Sequence, residues 1–168
     1  FRKRLAAGRA VYLDEAMYHV LQGYDSVAVR ADIEIGAVDQ RLNLLAGREL
    51  QKKVGQRAQD IVMLPYLIGL DGRAKMSKTL GNTIDLSDDA DAMFGKTMAI
   101  PDALIRNYAE LGAWFSPEEV RVVERRLAQG ENPRDVKLDI ATALVRLYHG
   151  FRRAEAAHEK FLKLFGTK

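Results

Sequence analysis

Between Ser26 and Ile35 the residues alternate: Val27, Val29, Ala31, Ile33 and Ile35 fall on one side of an extended chain. Period two predicts a strand with two unlike faces. The run ends at Gly36, and after Asp39-Gln40 the pattern becomes helical. Leu42, Leu45, Ala46 and Leu50 predict the apolar face, Lys52 and Lys53 fill the last turn, and Gly55 stops it. Ile61-Val62-Met63-Leu64, closed by Pro65, then reads as a strand buried on both faces. Before all of this, Asp14 to about Tyr24 predicts a short helix with acids in its first turn and Gly23 near its end. Helix, strand, helix, strand describes part of an α/β fold, a doubly wound parallel sheet. Two strands do not complete such a sheet, and the remainder is expected from elsewhere.

After Asn82 the pattern changes to helices joined by short turns. Ser87-Asp88-Asp89 can cap a helix through Phe94, and Pro101-Asp102 opens one reaching about Trp114. Ser116-Pro117-Glu118-Glu119 is a capping box with proline in the first turn; Val120, Val123 and Leu127 form its stripe and Gly130 ends it. Asn132-Pro133 starts the next helix, striped by Val136, Ile140, Leu144 and Leu147 and ended by Gly150. A last amphipathic helix closes with Phe161, Leu162, Leu164 and Phe165. These stripes read as core. The expected organisation is an α/β part over residues 1–86 and an all-α part over 87–168, with the boundary near Leu86.

Composition narrows the chemistry. The 168 residues contain no cysteine, so disulfides and thiolate sites are excluded. His19, His149 and His158 stand far apart in the sequence, which leaves little for a zinc site. The net charge of +3 permits a polyanionic partner without requiring one. No apolar run approaches the length of a membrane span. The opening Phe1-Arg2-Lys3-Arg4 has neither an initiator methionine nor a signal-peptide core, and reads like the interior of a longer protein.

Three stretches can carry function. In Gly69 to Asn82 an Asp71-Gly72 turn hands over to Lys75-Met76-Ser77-Lys78-Thr79. Two flexible cations, with the hydroxyls of Ser77 and Thr79 close by, suit a target with several anionic oxygens, such as a polyphosphate. Taken alone, the pair reads more plainly as a solvated basic turn. Tyr18, Gln22 and Asp25 stand at i, i+4 and i+7 and share one face if their helix extends that far; a solvated face is the plainer reading. Gly36 allows close approach of a ligand to a strand end, where open α/β sheets bind ligands, and Asp39 either accepts from ligand hydroxyls or caps the following helix.

Lys75-Met76-Ser77-Lys78-Thr79 resembles the KMSKS signature of class I aminoacyl-tRNA synthetases, with Thr79 for the last serine. Tyr18-x-x-x-Gln22-x-x-Asp25 followed by Gly36-Ala37-Val38-Asp39-Gln40 resembles the bacterial tyrosyl-tRNA synthetases, as do Met93-Phe94-Gly95-Lys96, Ile100-Pro101-Asp102 and Asn132 to Lys137. The likeness runs through essentially the whole chain. It implies the second half of a Rossmann-like catalytic domain followed by a helical domain that contacts the tRNA anticodon arm. It further implies that Tyr18 and Gln22 hold the ammonium of the substrate tyrosine and that Asp25 accepts from its phenol. Gln40 would lie near the substrate carboxylate and reacting phosphate, and Gly36 and Asp39 would bind the ATP ribose. Met76 would meet adenine through its backbone, while Lys75, Ser77 and Lys78 would bind the departing pyrophosphate.

The partners so implied are L-tyrosine, ATP as a substrate, tRNA(Tyr) and a second copy of the parent protein. Mg2+ is expected with ATP, with no protein ligand identified, and the expected location is the cytoplasm. Ala37-Val38 departs from the family's Gly-Thr and removes a hydroxyl beside the ribose position. Nothing in the chain resembles the HIGH-type signature or the tyrosine-pocket residues of the first half of the fold. The family's C-terminal RNA-binding domain is likewise not seen. The expectation is therefore a part of a tyrosine–tRNA ligase whose 168 residues alone form no tyrosyl-adenylate. The alternatives are a non-catalytic tRNA-binding module and a part of the related tryptophanyl enzyme.

Overall fold

A computed structural model describes residues 2–166, and the chain divides into two compact units, Phe1–Pro65 and Tyr66–Lys168. The first contains α1 (Arg2–Ala6), α2 (Leu13–Val29), β1 (Ile33–Ala37), α3 (Arg41–Lys53) and β2 (Asp60–Leu64), with a 3-10 turn at Val38–Gln40. β1 and β2 pair in parallel, Ile33 opposite Asp60 and Ala37 opposite Leu64. The two strands and the helix between them form the βαβ unit expected of an α/β sheet.

The strand expected over Ser26 to Ile35 is corrected. α2 runs to Val29, Arg30 turns into the left-handed region at φ 53°, and only Ile33–Ala37 is extended. The reason is tertiary. Buried Gln51 donates from Nε2 to the carbonyls of Ser26 and Ala31 at 3.2 and 2.9 Å, satisfying the helix end from α3. β-branched residues fit a strand locally, but this packing overrides the preference.

The face expected of α3 is also corrected. Leu44, Gly47 and Gln51 are buried, whereas Leu42 and Leu45 are exposed. α2 and α3 approach through glycine: a Cβ on Gly23 would lie 3.0 Å from the Gly47 nitrogen, and one on Gly47 only 2.5 Å from Ser26 Oγ and 2.9 Å from Gln59 Nε2. The stripe facing α2 is therefore set by small and polar residues together with the expected Leu50, whose Cδ1 would lie 3.1 Å from a Cβ on Gly23. Gly47→Ala is predicted to destabilise the unit by about 1–3 kcal/mol through overpacking, measurable as a lowered urea midpoint.

β2 was expected to be buried on both faces, but Val62, Met63 and Leu64 are exposed, as are Ile33 and Ile35 of β1. β2 pairs only with β1 among the described residues. Parallel strands of such apolar character normally have both faces covered.

The second unit begins with a loop containing a bridge between Ile68 and Lys75 and a 3-10 turn at Lys78–Leu80. α4 (Ala90–Met98) follows, capped by Asp89, which accepts from the Ala92 N–H at 2.8 Å. The continuous helix expected from Pro101 to Trp114 is instead a 3-10 turn at Asp102–Leu104, a single α turn α5 (Ile105–Asn107) and a π turn at Tyr108–Gly112. The widened turn keeps Tyr108, Ala109 and Gly112 buried together, and Tyr108 donates its hydroxyl to the Ile68 carbonyl at 2.8 Å. Burial, assisted by the negative charge of Asp71, pushes the Tyr108 phenol up to about 12.

α6 (Pro117–Ala128) carries the expected capping box, with Ser116 and Glu119 exchanging backbone bonds. α7 (Pro133–His149) begins at the Asn132 cap and runs between two cores. One joins its Leu138, Ala141, Leu144 and Val145 to Met93, Phe94, Ala154 and Ala157; the other joins Val136 and Ile140 to Ile100, Ile105, Tyr108 and Val123. Leu147, expected in the stripe, is exposed. On α8 (Phe151–Phe165) the packed face is Ala154, Ala157 and Phe161, whose ring lies 5.4 Å from that of Phe94. Leu162, Leu164 and Phe165 fall off that face and are exposed. Leu86, the expected boundary, lies inside this unit, because Leu67, Ile68, Leu70, Met76 and Ile84 pack on the Tyr108 core.

Candidate functional site

Because α2 continues through Val29, Tyr18, Gln22 and Asp25 share one face of it, with Tyr18 and Asp25 exposed and Gln22 half-buried. At the end of β1 stands Gly36, where a Cβ would press on the Leu44 side chain at 3.2 Å, so glycine lets α3 fold closely under the strand end. Asp39 and Gln40 occupy the 3-10 turn that follows. Gln40 holds the cap position of α3 without a side-chain bond to the helix backbone.

The sequence-predicted Gln22 and Gln40 are brought together by a residue that sequence reasoning missed. Asn43, on the first turn of α3, donates from Nδ2 to Gln22 Oε1 and to Gln40 Oε1, both at 2.8 Å. Gln22 in turn donates from Nε2 to Glu34 Oε1 at 3.5 Å, and Glu34 Oε2 accepts from Ser26 Oγ at 3.0 Å and from Gln59 Nε2. A polar chain thus runs from the α2–α3 contact out to the strand end. Asn43 gave no sequence signal beyond standing three residues after Gln40.

In the second unit, the basic loop is built around Asn82, which is 5% exposed. Its Oδ1 accepts from the Ser77 N–H at 2.8 Å, and its Nδ2 donates to Asp71 Oδ2 at 3.1 Å and to the Lys75 carbonyl at 3.4 Å. A Cβ on Gly69 would fall 2.1 Å from Asn82 Nδ2, so only glycine admits this side chain. Asp71 Oδ1 accepts from the N–H groups of Arg73 and Ala74 at 3.0 and 3.1 Å. The backbone is therefore pinned at both ends of Lys75-Met76-Ser77, while Lys75 and Lys78 are exposed. Lys75 Nζ lies 5.6 Å from the centre of the Tyr66 ring.

Met76, Ser77, Lys78, Thr83, Asp85 and Lys96 line an open groove of about 850 Å³. Asp88 holds Lys96 at 2.6 and 2.8 Å; burial drives the Asp88 carboxyl up, but Lys96 and the Asp85 N–H outweigh it and leave it below its usual range. A pinned backbone presenting cations and a hydroxyl to an open groove can bind a flexible polyanion. Among the described residues, no cluster of three or more His, Asp or Glu could hold a metal ion. No helix among them is long and apolar enough to cross a membrane.

The Asp71 turn sets a pH dependence. The Arg73 N–H first, then those of Ala74 and the Asn82 amide, outweigh desolvation and hold its carboxyl below the usual carboxylate range. The contribution to loop order is present above the unfolded value of about 3.9 and is lost as pH falls through the lowered folded value. Amide-exchange protection at Arg73 and Ala74 should decline over that acid window, and Asp71→Ala should abolish it at neutral pH.

A family model described as tRNA synthetases class I (W and Y) matches residues 1–166. The chain is 48% identical over 165 residues to a tyrosine–tRNA ligase of Colwellia psychrerythraea, covering 98% of this chain and 41% of the relative. It is 45% identical over 168 residues to tyrosine–tRNA ligase 2 of Pseudoalteromonas translucida, covering 100% of this chain and 42% of the relative. The chain thus spans about two fifths of the length of these curated relatives. Among solved structures, a tyrosyl-tRNA synthetase from Aeropyrum pernix matches with a TM-score of 0.70 at 22% identity, over 94% of this chain and 55% of that one. That likeness supports the α/β fold followed by helices. The chain belongs to the class I tRNA synthetase family of the tryptophan and tyrosine enzymes.

Proposed function

We propose that this chain supplies part of the active site of a tyrosine–tRNA ligase. The observation that carries this reading is the α2 face. Tyr18, Gln22 and Asp25 stand together there, in a chain 48% identical to a tyrosine–tRNA ligase. The Tyr18 hydroxyl and Gln22 carbonyl suit an ammonium, and the Asp25 carboxylate suits a phenol O–H. Gln40 meets the substrate carboxylate and the α-phosphate, and Gly36 and Asp39 meet the ribose of ATP.

In the proposed reaction a tyrosine carboxylate oxygen attacks the α-phosphorus in line. The new O–P bond forms as the α–β bridge breaks, and pyrophosphate leaves. The reaction needs no protein nucleophile, so positioning and charge stabilisation supply the acceleration. Lys75, Ser77 and Lys78 take up the negative charge that gathers on pyrophosphate, and the Met76 backbone meets adenine. A terminal ribose hydroxyl of tRNA then takes the tyrosyl group and AMP leaves. Mg2+ would accompany the phosphates of ATP; no side chain is assigned to it. Residues 87–168 are proposed to contact the anticodon arm, and the parent protein to act as a homodimer in the cytoplasm.

Charging of tRNA by the complete gene product tests this reading. Tyrosine should be esterified to tRNA(Tyr); charging with tryptophan instead would contradict it. The 168 residues alone are predicted to form no tyrosyl-adenylate, and exchange of labelled pyrophosphate into ATP by the purified chain would overturn that prediction.

A further inference from the structure

The geometry points to Asn43 as a positioning residue that sets which end of two substrate-facing amides reaches the ligand; we infer that it aims the Gln22 oxygen at a cation and the Gln40 nitrogen at an anion. The inference rests on the tyrosine-activation reading for the identity of those two ions.

The oxygen and nitrogen of a side-chain amide have nearly the same shape, so only hydrogen-bond partners decide which way each amide faces. Here the decision begins at Glu34. A carboxylate only accepts, and Glu34 accepts from Ser26, Gln59 and Gln22. Gln22 must therefore turn Nε2 toward Glu34, which leaves its Oε1 on the other side. That oxygen receives one Asn43 Nδ2 hydrogen at 2.8 Å and keeps a second lone pair for a substrate ammonium. Asn43, committed as a donor, gives its other Nδ2 hydrogen to Gln40 Oε1 at 2.8 Å. Gln40 is thereby left with its –NH2 turned outward, the end that can donate to a carboxylate or phosphate oxygen. One acceptor-only carboxylate thus fixes three amides in series, and Asn43 is the link at which an acceptor becomes a donor.

Asn43→Asp preserves the shape and replaces the donor by an acceptor, so Gln40 must turn its –NH2 inward and show its oxygen to the anion, while Gln22 is caught between two acceptors. Asn43→Ala removes the donor and leaves Gln40 able to turn, while Glu34 still holds Gln22. In tyrosine-dependent ATP–pyrophosphate exchange by the complete gene product, the account predicts a loss in kcat/KM of about tenfold for Asn43→Ala and about 100-fold for Asn43→Asp. The larger loss should fall on kcat, because Gln40 faces the reacting groups. Equal losses from the two variants, or a larger one from alanine, would overturn the inference, since a role in packing alone predicts those results.

Absence of exchange in the wild-type gene product would instead sink the tyrosine reading, and the amide relay is then judged on the unliganded 168-residue chain. There, Asn43→Asp should shift the side-chain –NH2 NMR signals of both Gln22 and Gln40, and unmoved signals from either contradict the relay. If Asn43→Asp does not fold, Glu34→Gln reads the relay from its other end. Removing the acceptor-only anchor should split the Gln22 –NH2 signals into two orientations; a single unshifted pair contradicts it.

Discussion

Lys78→Ala in the complete gene product is expected to slow tyrosyl-adenylate formation by about 10²–10³-fold, with little change in thermal stability. The magnitude is that of removing one preorganised group from developing transition-state charge. The separation of activity from stability follows from the loop. Asn82 ties Asp71, Lys75 and Ser77 through its buried amide, and Asp71 ties Arg73 and Ala74, so the backbone is held without the Lys78 side chain. Lys78 lines the open groove and is exposed. Single-turnover adenylate formation measures the effect, and a loss below about threefold would remove Lys78 from the proposed pyrophosphate contact. Asn82→Ala should differ in kind: it lowers loop order and the melting temperature along with activity, since it leaves the Ser77 N–H and Lys75 carbonyl without that partner.

Asp25→Ala should instead damage selection. A carboxylate facing the phenol of tyrosine makes a charge-assisted bond that phenylalanine cannot, and its loss costs about 1.5–3 kcal/mol. The ratio of kcat/KM for tyrosine to that for phenylalanine is therefore expected to fall by about 10- to 150-fold. Asp25 is exposed on α2 and takes no part in the Ser26–Glu34–Gln59 bonds, so the helix should fold unchanged. An unchanged ratio would show that the phenol is recognised elsewhere.

Much of this was legible because some local rules act alone. The capping box of α6, the Asn132 cap of α7 and the prolines that open both helices need nothing from the rest of the chain, and both helices begin where Ser116 and Asn132 predict. β2 was legible as a short apolar run closed by proline, and the α2 face followed from spacing once the helix ran long enough. What failed depended on distant partners. Val27 and Val29 belong to α2 because Gln51, more than twenty residues later, satisfies the helix end. The α3 stripe was read only in part: Ala46 and Leu50 do meet Gly23 of α2, but Gly47 and Gln51, which complete that surface, read as neutral or polar. The π turn at Tyr108–Gly112 has no periodic signature apart from an ordinary helix. Asn43 and Asn82 were invisible for a related reason: an asparagine that organises a site has the same composition as a solvated one, and only its partners distinguish them.

The proposal is that the α2 face of this chain supplies part of the tyrosine-recognising surface of an amino-acid-activating site. It is tested most directly by ATP–pyrophosphate exchange with the complete gene product, run in parallel with tyrosine, tryptophan and phenylalanine. The account predicts rapid exchange with tyrosine alone, and loss of that preference in Asp25→Ala. Exchange driven by tryptophan, or by no amino acid, would contradict it.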